Sequence, residues 1–165
     1  MDGLTAWAAA WFLVAAVPIS GFVIFSDLSR MKIPNVAVGT LVASYAVLGL
    51  IALPFDQYLW HWTHLPVLLI IGILLNAVGV MGAGDAKFIA AAGPFIATSD
   101  ATTIMIPLFS ACLIAGYIAH RLARMSPLRA AVPHWESWDS GKRFPMGFPL
   151  GMTLVGYLLI VLITR

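Results

Sequence analysis

The sequence predicts an all-α polytopic membrane protein with about six transmembrane helices, and three observations carry that fold class. Of its 165 residues 61% are hydrophobic and only 10% charged, against roughly half and a quarter in soluble domains. The apolar residues fall into runs near the roughly 20 residues that a spanning helix needs. The few charges collect in the short segments between those runs. A net charge of +2 is too small to imply a nucleic-acid partner. The single Cys112 excludes an internal disulfide, a Cys-x-x-Cys pair and a cysteine-rich zinc site. One membrane-embedded domain over residues 1–165 is expected.

Met1-Asp2-Gly3-Leu4-Thr5 lacks the basic region that precedes the apolar core of a cleaved signal peptide, so the run at about 4–25 is expected to be a retained span. Pro18 is placed to kink it, and Trp7 and Trp11 suit an interfacial belt. Residues 26–35, the most polar decade of the first hundred, read as a short loop carrying Asp27. A second span covers about 36–53 and is closed by Pro54. Residues 56–64 hold Tyr58, Trp60, His61, Trp62 and His64 without Lys or Arg, and read as an aromatic interfacial loop. The spacing of His61 and His64 also suits a metal on a helix, but no third ligand lies at helpful spacing.

The third span, about 65–81, leads into Gly82-Ala83-Gly84-Asp85-Ala86-Lys87, two glycines, a carboxylate and an amine set between apolar runs. The fourth, about 88–97, is short and weakened by Gly93-Pro94. Thr98-Ser99-Asp100 makes a polar turn, and a fifth span runs to about His120. Residues 121–143 form the long polar segment, where Pro127 and Pro133 break any continuous helix and Trp135 and Trp138 suit anchoring on the membrane surface. His134, Glu136 and Asp139 there read as a solvated loop rather than a metal cluster. The sixth span covers about 144–164, with Gly147 and Gly151 as a small-xxx-small pair that lets helices approach closely.

Charge asymmetry orients these spans. With the N-terminus outside, the loops at 26–35, 82–87 and 121–143 are cytoplasmic and hold Arg30, Lys32, Lys87, Arg121, Arg124, Arg129, Lys142 and Arg143. Only Arg165 falls on the other side, as the positive-inside rule requires. Five spans would put the most basic loop outside. Asp27 and Asp85 then share the cytoplasmic face, each just past the end of a span.

An ionisable residue at a membrane boundary is a functional-site hypothesis by default. Asp85 and Lys87 are two apart and point to different faces of a helix, so an intrahelical ion pair does not explain them. Two carboxylates brought together at a dry boundary cannot both ionise cheaply; one keeps a proton and the titration belongs to the pair. In such a pair the charged member draws a proton from a shared water while the protonated one polarises a carbonyl. That chemistry needs neither cofactor nor metal. Gly82 and Gly84 permit close approach of a backbone, and a substrate strand is expected to lie there.

Gly82-x-Gly84-Asp85-x-Lys87, with the upstream Asp27, Ile33-Pro34-Asn35 and the late Pro145-Met146-Gly147-Phe148-Pro149-Leu150, resembles the type IV prepilin peptidase family of GxGD membrane aspartic proteases. The match covers nearly the whole chain in the family's order and sidedness. It implies a multi-pass enzyme of the inner (cytoplasmic) membrane that removes the short basic leader of pilin-like precursors, after a glycine preceding their hydrophobic helix. It makes Asp27 and Asp85 the catalytic pair. Precursor peptide, membrane lipid and the pilus-assembly machinery are the implied partners. Larger members carry a cysteine-containing cytoplasmic insertion and methylate the new N-terminus; the first loop here is short and has no Cys. A stand-alone peptidase is therefore expected, similar to the small enzymes of tight-adherence (Flp) pilus systems or to preflagellin peptidases, without N-methyltransferase activity.

The remaining motif residues read more simply. Pro34-Asn35 suits the start of a helix. Gly147 and Gly151 suit packing unless a substrate helix docks there. Lys87 has three open readings: pairing with lipid phosphate, tuning the aspartates, or binding substrate. Two other functions compete. A small proton- or ion-coupled transporter also uses acidic residues beside broken helices, but at the midplane and commonly with an inverted repeat. A non-catalytic assembly scaffold predicts that Asp85→Asn is harmless.

Overall fold

A computed structural model of the chain describes residues 3–141 and 143–165. The N-terminal Met1 and Asp2, and the basic Lys142, lie outside the described residues. Among the described residues the fold is helical throughout, with no strand.

Helix α1 (Ala6–Arg30) starts at Thr5, whose hydroxyl accepts the Ala8 N–H at 3.2 Å, and continues unbroken through Pro18. The loop expected at 26–35 shrinks to residues 31–34. Its polar residues serve the helix instead: Ser29 donates to the Phe25 carbonyl at 2.7 Å and Ser26 to the Lys32 carbonyl at 2.9 Å. Met31 ends the helix in the left-handed region (φ 51°), its N–H donating to the Asp27 carbonyl at 2.9 Å. Asp27 therefore sits in the last turn of a helix, not in a loop.

Helix α2 (Asn35–Ala52) follows. The interfacial loop expected at 56–64 is instead helix α3 (Phe55–Trp62), which runs almost directly into α4 (His64–Ala77) to make one apolar stretch of 23 residues. Helix α5 (Ala83–Ala92) is followed by 3₁₀ turns at Gly93–Phe95 and Thr98–Asp100 and a π turn at Ala101–Met105, leading into α6 (Ile106–Arg124). A short α7 (Leu128–Ala131) and a 3₁₀ turn (Glu136–Trp138) precede α8 (Gly147–Thr164).

Among the described residues five stretches are long and apolar enough to cross a membrane: α1, α2, α3–α4, residues 98–124 and α8. Helix α5 has only ten residues because Pro94, lacking an N–H and crowding the preceding turn, stops it. Together with the turns after it, α5 connects the two ends of the bundle. Gly147, at the start of α8, meets Asp27, while Arg165, after its end, meets Asp100 at 2.6 Å. The 18 residues of α8 measure about 27 Å at 1.5 Å per residue. Residues 85–100 cover the same depth through α5 and its 3₁₀ continuation.

The broken end of α5 is held by histidines. His61 donates from Nδ1 to the Pro94 carbonyl at 2.9 Å and His64 from Nδ1 to the Gly93 carbonyl at 3.1 Å. Thr98 bridges His64 Nε2 (2.9 Å) and Trp60 Nε1 (3.2 Å). The Gly93 carbonyl also accepts the Ile96 N–H at 3.0 Å, and the Pro94 carbonyl, past the end of α5, has the His61 ring as its partner. The spacing that suggested a metal pair serves backbone satisfaction.

Helix α1 is the centre of the bundle and packs most extensively on α8. Small residues on it (Ala8, Ala9, Ala16) are fully buried and let neighbours close in. At the Asp100 end, Phe12, Tyr45 and Phe95 form an aromatic cluster with ring centroids 4.9–5.8 Å apart. Large apolar side chains such as Val14, Val36, Ile70, Ile73 and Ile114 face outward, as lipid contact requires. One surface expectation changes: Trp138 is buried between the rings of His120 (5.0 Å) and Trp135 (5.7 Å), its Nε1 donating to the Val132 carbonyl. It organises the 121–143 segment from inside instead of anchoring it on the membrane surface.

Candidate active site

The two aspartates come from different helices and meet at one end of the bundle. Asp27 is carried by α1 and is 5% exposed. Its Oδ2 accepts the backbone N–H of Gly147 at 2.6 Å. Gly147 is the first residue of α8, so this N–H has no intrahelical acceptor and lies at the positive end of the helix dipole. The contact demands glycine. A Cβ on Gly147 would stand 2.9 Å from the Asp27 Cβ, 3.0 Å from its Oδ2 and 3.1 Å from the Val23 side chain.

Asp85 sits in the first turn of α5, so residues 83–87 form the opening of a helix and not a turn between helices. Gly82 is the residue just before that helix, and its backbone lies close enough to the Asp85 carboxylate to lower its pKa. A Cβ on Gly82 would lie 2.7 Å from Asp85 Oδ2. The glycine thus makes room for the Asp85 carboxylate itself, where a substrate strand had been expected. Gly84 faces the link between α1 and α2, its Cβ position 3.4 Å from Ile33.

Asp85 is half-buried. Burial, and then the charge on Asp27, push its carboxyl up to about 6, while the Gly82 N–H pulls it down. The charge of Asp27 thus reaches Asp85, as a secondary cause after burial.

Other motif residues frame this end. Pro34 is extended immediately before α2, and Asn35 opens the helix. Lys87 points away from the aspartates along the exposed face of α5, its Nζ donating to Asn35 Oδ1 at 3.2 Å. It ties α5 to the start of α2. Gly151 packs α8 on α1, with its Cβ position 3.0 Å from Ile24. The sequence had marked Gly147 as a packing residue, and its donation to Asp27 was missed. A free helix-start N–H at the same end as Asp27 was the signal available.

One turn beyond Asp85 an apolar cavity of about 450 Å³ opens beside α5. Phe88, Ile89 and Ile96 form its α5 wall, faced by Leu68, Phe109 and Leu154 from α4, α6 and α8. Among the described residues no group of three or more His, Cys, Asp and Glu is placed to hold a metal.

No curated protein and no solved structure matches the chain. The model of the type IV leader peptidase family matches residues 7–120, well over half of it, in a stretch that includes both Asp27 and Asp85. With two-thirds of its length so matched, on a helical membrane bundle that gathers two aspartates at one end, the chain belongs to the type IV leader peptidase family.

Proposed function

We propose that the protein is a membrane aspartic endopeptidase that removes the short leader from type IV (Flp-like) prepilins or pilin-like precursors, at the cytoplasmic face of the inner membrane. The observation that carries this reading is the pairing of Asp27 and Asp85 from separate helices, with the charge of one acting on the other. Asp85, pushed up to about 6, is suited to hold the shared proton and to polarise the scissile carbonyl. Asp27, with the Gly147 N–H and the start of α8 aimed at its Oδ2, is suited to carry the charge and to draw a proton from the attacking water. Water adds to the carbonyl carbon, the proton from Asp85 goes to the carbonyl oxygen, and collapse of the tetrahedral intermediate returns a proton to the leaving nitrogen.

The apolar cavity along α5 suits the hydrophobic helix of a precursor, which would present the bond just before that helix beside Asp85. Orientation follows the charges. Arg30, Lys32, Lys87, Arg121, Arg124, Arg129 and Arg143 lie at the aspartate end and Arg165 at the other, a distribution that favours a cytoplasmic aspartate end. A carrier mechanism is disfavoured because the acids divide between the two ends of the bundle: Asp27 and Asp85 at one, and Asp100, clamped by Arg165 and Tyr157, at the other.

The test is cleavage of a pilin-like precursor peptide by the full chain in lipid nanodiscs. Asp27→Asn and Asp85→Asn should each lower the rate by about 10²–10⁴-fold, the share that general acid–base groups supply. Both variants should still insert and unfold cooperatively. Wild-type cleavage by either one would refute the pair.

A further inference from the structure

At the aspartate end, the last turns of α6 together with Ser137, Ser140, Gly141, Arg143 and Phe144 enclose a second cavity of about 250 Å³. Arg121, Arg124 and Arg143 line it, and among the described residues no carboxylate does. None of the three makes an ion pair among the described residues; the acid nearest in sequence, Asp139, is taken by Arg129 at 3.0 Å. Arg121 and Arg124 are close enough to act electrostatically on His120 in the same wall.

Two buried polar atoms of this wall have no hydrogen-bond partner among the described residues: Ser137 Oγ, on a residue only 2% exposed, and His120 Nε2. A buried polar atom left unpaired is costly, and folded proteins keep few of them. The wall is built and not a loose surface loop. Trp138 is stacked between His120 and Trp135, and Ser140 donates to the Ser137 carbonyl at 3.0 Å and to the Arg143 carbonyl at 2.7 Å. Water could satisfy the two orphan atoms but would bring no countercharge to the three arginines that line the cavity. A tetrahedral oxyanion answers both needs, since guanidinium forks match its oxygens and the hydroxyl and imidazole supply neutral partners. Arg121 and Arg124 stand in the last turn of α6, where the helix leaves the apolar layer and anionic head groups are met.

We propose that this cavity binds a phosphoryl oxyanion, held by Arg121, Arg124 and Arg143 with Ser137 and His120, supplied by an anionic phospholipid head group or by soluble phosphate. The site shares no residue with the aspartate pair, and its test does not depend on cleavage.

The full chain, purified in a neutral detergent without phosphate, is titrated with phosphatidylglycerol and, separately, with inorganic phosphate at constant ionic strength. Thermal unfolding and native mass spectrometry of retained lipid are the readouts. A saturable rise in Tm is expected. Arg121→Gln/Arg124→Gln should weaken the apparent affinity by about tenfold or more, given the strength of charge-assisted hydrogen bonds. Arg129→Gln, outside the cavity, should leave it unchanged. Ser137→Ala guards against misfolding of the double variant: its hydroxyl has no partner to lose, so it should fold as wild type and still bind more weakly. Saturation by the lipid alone assigns a head group, and saturation by phosphate alone assigns a soluble ligand. No saturable response to either, a response that the double variant retains, or equal loss in Arg129→Gln overturns the proposal.

Discussion

Replacing Gly147 by alanine separates the positioning of Asp27 from ordinary packing. The added Cβ would sit 2.9 Å from the Asp27 Cβ and 3.1 Å from the Val23 side chain, whereas relaxed carbon contacts lie at about 3.5–4.0 Å. Relief requires the start of α8 to retreat by roughly 0.5–1 Å, or Asp27 to rotate. A retreat of that size stretches the 2.6 Å bond between the Gly147 N–H and Oδ2 to or beyond the roughly 3.2 Å limit of a good hydrogen bond. Overpacking costs about 1–3 kcal/mol, and weakening a hydrogen bond to a charged group about 1.5–3 kcal/mol; relaxation shares these terms, so about 2–4 kcal/mol is expected. A misplacement near 1 Å also costs about 10²-fold in rate. Peptide cleavage in nanodiscs should therefore show kcat down by about that factor with KM little changed, because Gly147 does not line the apolar cavity. Gly151→Ala is the control. Its Cβ meets Ile24 at 3.0 Å and Ser20 at 3.2 Å, so it should lower Tm while largely sparing kcat. Wild-type kcat and Tm in Gly147→Ala would refute the reasoning.

Three further outcomes follow from the geometry. Gly82→Ala places a methyl 2.7 Å from Asp85 Oδ2, so the carboxylate must swing away from it; cleavage should fall by about 10²-fold, and an unchanged rate would show that this rotamer is immaterial. Asp85 has its carboxyl raised from 3.8 to about 6, so its contribution to stability is fully present below pH 3.8 and lost as pH rises through about 6. Wild-type Tm should accordingly carry a downward component across that window which Asp85→Asn lacks, and parallel curves would contradict it. At the other end, Asp100→Asn keeps the shape but removes the charge that accepts from Arg165 at 2.6 Å and Tyr157 at 2.8 Å. It should cost about 2 kcal/mol in thermal unfolding without changing kcat, and an equal loss of kcat would couple the two ends.

What the sequence made legible was the large-scale arrangement: apolar passages, and Asp27 and Asp85 placed at one end by the sign of the loop charges. That much follows because span length and charge distribution are constraints set by the bilayer. It failed where a residue's role depends on a distant partner. Ser26 and Ser29 looked like loop residues because they are polar, yet their hydroxyls bond carbonyls at the end of α1 and prolong it. His61 and His64 have the spacing of ligands, and their acceptors are the carbonyls of Pro94 and Gly93 about thirty residues on. Trp138 looked interfacial until its stacking on His120 was seen.

The bond between Gly147 and Asp27 also sets an order of events. Its partners lie 120 residues apart, and the family-matched stretch, which contains both aspartates, ends before α8 begins. As the chain is made, both carboxylates enter the membrane while the donor for Asp27 does not yet exist. Helix α8, made after both aspartates, is thus the one that completes the surroundings of Asp27, and a chain synthesised only as far as α7 carries both acids without that donor.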